Sequence, residues 1–252
     1  MLPSTAQKNL LEYATFVKKD THAELECKIL ANKIQTKDIA DRITTALASN
    51  SRGAPVDEHR ALFCYPDGLR VVVSGPENIH KVCTTGSFRG VPLIVERKRK
   101  YFDVVTAVSG KSDMIDLPEY NMKFTLRHEE HLRRDFSGSP MDPSSHVRIL
   151  NRRSWTSLDG TVRYDFAMVK SKTRQTKTFQ DILKQTPTYE LELEVIDRKP
   201  SDTEMVASIL NYIKPVLEAY QGSEFLLTVS DTERYRLEFE AARIPFINPV
   251  SM

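Results

Sequence analysis

The sequence predicts an α+β chain built on one large antiparallel sheet or barrel. Candidate strands far outnumber candidate helices, and several are bounded by Gly, Pro, Asp or Ser. Along many of them charged and apolar residues alternate, which puts charge on one face and apolar side chains on the other. The acidic rows and the basic rows also lie on separate strands, a separation that predicts a closed sheet with charge inside and apolar residues outside.

The elements follow in order. Leu10, Leu11, Ala14, Phe16 and Val17 cluster at near-helical spacing after Ser4 and predict a helix over 5–19. A second helix starts after Thr36, with Ile39, Ala40, Ile43, Ala46 and Leu47 as its stripe, and ends near Gly53. A short helix is expected over 176–185. The longest spans 201–221, with Met205, Ile209, Ile213 and Leu217 on one face. Ser230 and Glu233 form a capping-box pattern before a last helix over 231–242. Strands are expected over 22–33, 60–65, 69–75, 79–84, 92–100, 102–108, 120–132, 146–156, 161–171 and 188–197. Residues 138–145 read as a loop, because strand-like sequence resumes on both sides.

At 252 residues the chain has room for one large domain or two small ones, and the unbroken succession of strands favours a single domain over 1–252. Its 36 basic and 34 acidic residues leave a net charge of +2, which gives little support to a broad nucleic-acid-binding surface. No apolar run approaches the roughly 20 residues of a membrane span, and the first twenty residues lack the apolar centre of a secretory signal. An intracellular protein that does not cross a membrane is expected. Cys27, Cys64 and Cys83 are odd in number and widely spaced, as suits a reducing compartment. SGKS at 109–112 is set aside as a phosphate loop, since the first glycine of that motif would fall at Val105.

Alternation assigns the chemistry. Glu24, Glu26 and Lys28 share one face of their strand, opposite Leu25, Cys27 and Ile29; Glu190, Glu192 and Glu194 share another. Each carboxylate row repels itself unless it is countered or faces bulk water. Countercharge comes from Lys123, Arg127 and Glu129 on one strand face, Arg148 and Arg152 on a second, and Arg163 and Asp165 on a third. Arg70 stands beside a run of valines. The run from Glu96 to Lys100 is charged on both faces, so alternation leaves open which of Arg97, Lys98, Arg99 and Lys100 point inward. The competing reading is an ordinary half-exposed sheet with its charged face in solvent. Sign-separated rows instead make a site with two ends: carboxylates for a hard divalent cation, and Arg and Lys for an oxygen-rich anion. A polyphosphate bound with Mg²⁺ or Mn²⁺ needs both.

Glu24-Leu25-Glu26-Cys27-Lys28 near the N-terminus and Glu190-Leu191-Glu192-Leu193-Glu194 near the C-terminus resemble the paired signature strands of the triphosphate tunnel metalloenzymes. The strands at 122–130, 147–153 and 163–170 are similar to the middle strands of the fungal, protozoan and viral branch, the RNA 5′-triphosphatases of mRNA capping. The resemblance covers about 20–197. It implies an eight-stranded antiparallel tunnel with a charged interior, supported by helices outside. It also implies that Glu24, Glu26 and Glu194 bind Mg²⁺ or Mn²⁺ with Glu192 and Glu190 beside them, that Glu129 orients the attacking water, and that Asp165 buttresses the site. Arg70, Lys98, Lys123, Arg148 and Arg152 would grip phosphate oxygens. Leu150 departs from the family, which often has Lys there, and Ala167 stands where a small hydroxyl residue is common; Arg127 or Arg153 is the candidate to replace the missing cation.

The implied reaction is metal-dependent hydrolysis of the γ-phosphate of triphosphate-ended pre-mRNA, without a phosphoenzyme, in the nucleus. The product would go to a separate guanylyltransferase. The chain resembles the compact, free-standing trypanosomatid form and is expected to be a monomer. Two rivals stand beside this reading: a tunnel enzyme acting on tripolyphosphate, thiamine triphosphate or nucleotides, and a non-catalytic module that binds phosphate-rich ends. His128 and His131, three apart on a strand, face opposite ways and cannot share a zinc ion there. Trp155 and Cys27 read as packing residues.

Overall fold

The computed structural model describes residues 3–29, 34, 36–105, 111–134, 136, 146–172, 178–224 and 226–247. The chain runs α1 (Ser4–Lys19), β1 (Ala23–Ile29), α2 (Lys37–Ser49), β2 (Ser51–Cys64), β3 (Leu69–Ser74), α3 (Pro76–Thr85), β4 (Leu93–Lys100) and α4 (Tyr101–Val104). It continues with β5 (Met114–Leu117), a 3₁₀ turn (Pro118–Tyr120), β6 (Met122–His131), β7 (His146–Ser157), β8 (Val162–Ser171), α5 (Phe179–Leu183), β9 (Thr188–Val195), α6 (Asp202–Gln221) and α7 (Val229–Ile247).

The strands form one antiparallel sheet in the order β1-β9-β8-β7-β2-β3-β4-β6-β5, and a further pairing of β1 with β6 closes eight of them into a ring. β5 lies outside the ring, paired to the first half of β6. Closure removes the unpaired edges that an open sheet would present. Alternation then leaves every ring strand with one face in the interior and one outside.

The outer faces are the apolar ones. Leu25, Cys27, Phe124, Leu126, Tyr164, Leu191 and Leu193 pack against Leu10, Ala14 and Val17 of α1, Ile43 and Leu47 of α2, and Met205, Ile209, Ile213 and Leu217 of α6. A smaller cluster covers the other side, where Ala61, Phe63, Val71 and Val73 meet Ile79 and Val82 of α3 together with Phe88 and Ile182. Each such fully buried aliphatic side chain contributes about 1.5–3 kcal/mol, so the helices hold the ring from outside and leave its interior to polar groups.

Thr36 caps α2 by accepting from the Ile39 N–H, and Ser201 and Glu204 form a reciprocal capping box on α6. The box on α7 uses Thr228 and Asp231, two residues before the Ser230–Glu233 pattern; the Ser230 hydroxyl instead donates to Glu119.

Several expected strands are corrected. Residues 79–84 lie in α3, where Pro76 opens the helix, Gly86 closes it in the left-handed conformation, and Ile79 and Val82 sit at helical spacing. A short apolar run does not separate the two periods by itself. Residues 102–104 of the expected strand at 102–108 lie in the helical turn Tyr101–Val104, and 106–108 fall outside the described residues, as does the loop at 138–145. β2 begins nine residues before the expected 60, β5 is an additional strand, and 30–33 of the strand expected over 22–33 fall outside the described residues.

Candidate active site

The ring places the charged rows in one central cavity. Fifteen of its eighteen lining residues are charged: eight carboxylates and seven cations. The three others, Leu62, Leu150 and Ala167, stand on the adjacent strands β2, β7 and β8. The open space measures about 140 Å³. A larger groove of about 520 Å³ lies on the outer surface by Ile79, Cys83, Met168 and Leu183; no carboxylate lines it, so the charged chemistry belongs to the smaller interior cavity.

Lys98 is the hub of one wall. Its Nζ lies 2.6 Å from Glu24 Oε2, 2.5 Å from Glu26 Oε1 and 3.1 Å from Glu129 Oε2. Glu26 also receives Lys28 at 3.0 Å and the Thr125 hydroxyl at 3.2 Å. Register explains the meeting: Glu26 faces Thr125 across the β1–β6 pair, and Lys98 faces Glu129 across the β4–β6 pair. Glu26 faces Glu194 on its other side, across β1–β9.

The remaining charges pair around the ring. Arg70 lies 3.3 Å from Glu96 and 3.9 Å from Glu129. Arg163 holds Glu194 at 2.5 Å and Asp165 at 3.0 Å, and Arg152 holds Asp165 at 3.1 Å and Glu58 at 2.6 Å. Lys28 reaches Glu192 at 2.7 Å, and Arg148 is paired with Glu190.

Burial sorts these carboxyls by how much positive charge each receives. Burial pushes Glu26 up, yet Lys98 and Lys28 outweigh it and hold the group well below the usual carboxylate range. Burial, with Glu129 and Glu26 close by, holds Glu24 above that range despite Lys98. Burial also lifts Glu194 to about 7, with Arg163 opposing and Glu24 adding to the rise. Glu96 is raised by burial and by Glu129. Lys98 is driven well above its ordinary value, because Glu26, Glu24 and Glu129 outweigh its own burial. At Glu24 and Glu194, close to where β1 meets β9, burial and neighbouring carboxylates thus outweigh the cations that pair with them.

An all-oxygen donor set of Glu24, Glu26 and Glu194 suits a hard divalent cation such as Mg²⁺ or Mn²⁺. Among the described residues no three His, Cys, Asp or Glu side chains stand in a ready-made metal cage; the Lys98 ammonium sits between Glu24 and Glu26.

Of the residues singled out in the sequence, Glu24, Glu26, Arg70, Lys98, Glu129, Arg148, Arg152, Asp165, Glu190, Glu192 and Glu194 line the cavity. Lys123 and Arg127 share the inward register of β6 but are not among its lining residues. Arg153 lies outside, paired with Asp57 at 2.6 Å. Lys98 is the member of the 97–100 run that lines the cavity, and Arg97 turns to Asp67 and Glu130. Alternation already carried the signal for Lys28 and Arg163, which also line the cavity. Arg60, which lines the cavity, was missed because it stands on its strand face beside the apolar Leu62 and forms no charged row, and its partner Glu58 was missed because the strand was expected to start at 60. His128 is buried beside His22 and Tyr101, and His131 is exposed.

No protein-family model matches the chain, and no curated protein matches it. Solved structures do. The mimivirus capping enzyme triphosphatase is 18% identical over 85% of this chain and 98% of its own, with a TM-score of 0.63. The S. pombe RNA triphosphatase is 14% identical over 97% of this chain and 93% of its own, with a TM-score of 0.50. The likeness is one of fold: the antiparallel sheet closed in a ring, expected from the signature strands, is the fold of tunnel-type RNA triphosphatases.

Proposed function

We propose that this chain is a metal-dependent RNA 5′-triphosphatase, which removes the γ-phosphate from triphosphate-ended pre-mRNA and leaves a 5′-diphosphate for guanylylation in mRNA capping. The observation that carries this reading is the cavity lined by eight carboxylates and seven cations, with Glu24, Glu26 and Glu194 on β1 and β9 and Arg148 and Arg152 two strands from β9 on β7. The shared fold of the mimivirus and S. pombe enzymes supports it.

Each residue then has a task. Glu24, Glu26 and Glu194 hold Mg²⁺ or Mn²⁺, which when bound draws charge from the terminal phosphate. Arg148, Arg152, Arg70 and Arg60 neutralise phosphate oxygens as the bond to the leaving diphosphate lengthens. Glu129, held between Lys98 and Arg70, or Glu192, held by Lys28, orients the water for in-line attack. Asp165 and Glu190 fix the arginines that they pair with. In this reading the protein works as a monomer in the nucleus, beside a separate guanylyltransferase.

A second reading, hydrolysis of free tripolyphosphate or nucleoside triphosphates, is favoured by the lining of the cavity, which offers charge to a phosphate chain and no aromatic side chain to a base. Release of labelled phosphate from the γ position of triphosphate-ended RNA, measured beside tripolyphosphate and ATP with Mg²⁺ or Mn²⁺, separates the two, and binding without release would mark a non-catalytic module. Glu24→Ala and Glu192→Ala are each expected to cost about a hundredfold or more in rate. Full activity in both would overturn the mechanism.

A further inference from the structure

Resting on the metal-ligand reading above, we propose that Lys98 is an internal cation that occupies the carboxylate cluster in the metal-free protein. A divalent ion and the Lys98 ammonium then exclude each other at Glu24 and Glu26, and the lysine reaches substrate phosphate only after the ion has displaced it. Its role is to couple metal binding to phosphate binding.

The geometry sets Lys98 apart from the other cations of the cavity. Its ammonium touches three carboxylates, on β1 and β6, at 2.6, 2.5 and 3.1 Å, and its side chain is only 11% exposed. Lys28, Arg70, Arg152 and Arg163 each pair with two. Glu24 Oε2 and Glu26 Oε1, which the ammonium holds, belong to two of the three residues assigned to the metal.

An ion bound to those oxygens at about 2.1 Å would stand within roughly 4.6 Å of an ammonium still hydrogen-bonded to them. Two like charges at that distance in a buried site repel strongly. Lysine can resolve the conflict in a way that arginine cannot, because a compact ammonium on a flexible four-carbon stem moves without breaking a planar fork of bonds. The cavity that Lys98 already lines is where it can go, and a phosphate chain there gives it new oxygen partners. Linkage then requires that phosphate tighten metal binding as much as metal tightens phosphate binding.

Mn²⁺ titration by calorimetry on the full chain tests this, using wild type, Lys98→Met and Lys98→Arg, with and without tripolyphosphate. Lys98→Met is expected to bind Mn²⁺ at least about tenfold tighter than wild type when tripolyphosphate is absent, Lys98→Arg no tighter, and tripolyphosphate should tighten Mn²⁺ binding in wild type. A wild type that binds Mn²⁺ while Lys98→Met binds it equally or more weakly overturns the proposal and leaves the metal-ligand reading standing. If neither wild type nor Lys98→Met takes up Mn²⁺, or Glu24→Gln leaves the uptake unchanged, the metal-ligand reading itself falls and the proposal with it. Amine acetylation of wild type, read by mass spectrometry, avoids any effect of substitution on folding. Mn²⁺ alone should raise the labelling of Lys98 severalfold, and unchanged labelling counts against displacement.

Discussion

Asp165 shows how a single side chain holds the cavity wall in place. It is 6% exposed, pairs with Arg152 and Arg163, and accepts from the Ser154 hydroxyl at 2.6 Å. Asp165→Ala removes the one carboxylate shared by both guanidiniums. Breaking a buried pair in this way costs about 3 kcal/mol or more, so the denaturation midpoint should fall clearly, and Ser154→Ala should cost much less. The thiols give a second test at this scale. Burial pushes Cys83 up to about 11 and holds Cys27 and Cys64 above their ordinary values. Only the thiolate reacts, so roughly a thousandth of Cys83 is competent at pH 8 and the fraction rises tenfold per pH unit up to its pKa. Iodoacetamide should label the native protein slowly at pH 8, faster as pH rises, and all three cysteines rapidly once it unfolds.

At the scale of elements, the hairpin between β2 and β3 is tied directly to the site. Gly68 has φ +78°, and a Cβ there would lie 2.4 Å from the Lys98 carbonyl oxygen, which belongs to backbone that cannot turn aside. The Lys98 N–H in turn donates to the Gly68 carbonyl at 2.9 Å. Gly68→Ala is therefore expected to cost more than the roughly 1–2 kcal/mol of a left-handed alanine and to slow phosphate release. Gly53 has φ +72° but open space around it, so Gly53→Ala should cost only the conformational part and spare activity. Thermal melts of the two variants, with phosphate-release rates, check the contrast. Elements were legible in the sequence where a signal was long or reciprocal, as in the stripes of α1, α2 and α6 and the alternation of β1 and β9. They were misread where the apolar run was short. Ile79 and Val82 fit either period, and the flanking Pro76 and Gly86 decide for a helix. The expected strand at 60–65 covers only the end of β2, whose first half carries Gly53 and Pro55 and absorbs them as a register shift between Arg52 and Val56.

At the scale of the molecule, a balanced part of the charge is turned inward. The net charge of +2 comes from 36 basic and 34 acidic residues, and fifteen charged residues face one cavity, where all but Arg60, which pairs with Glu58, pair with each other. If recognition is confined to that cavity, a triphosphate-ended trinucleotide should compete for the protein about as well as a long triphosphate-ended RNA. Affinity should also fall only gently with salt, since few phosphates outside the cavity are neutralised. A large gain in affinity with RNA length, measured by competition at two salt concentrations, would show a second contact surface.

Alternation along each strand is a local property, and it was enough to say which residues share a face: Glu24 with Glu26 and Lys28, Glu190 with Glu192 and Glu194, Arg148 with Arg152. It also placed apolar residues opposite them, and the resemblance of the two signature strands to the tunnel family supplied the expectation of charge inside and helices outside. Which rows become neighbours is not local. The β1–β6 pairing joins residues about a hundred apart and closes the ring, and the β4–β6 register carries Lys98, rather than Arg97 or Arg99, to the carboxylates of Glu24, Glu26 and Glu129. Alternation could not choose within a run charged on both faces. Only the closed ring, which gives one face a cavity full of carboxylates and the other solvent and surface partners, made that choice.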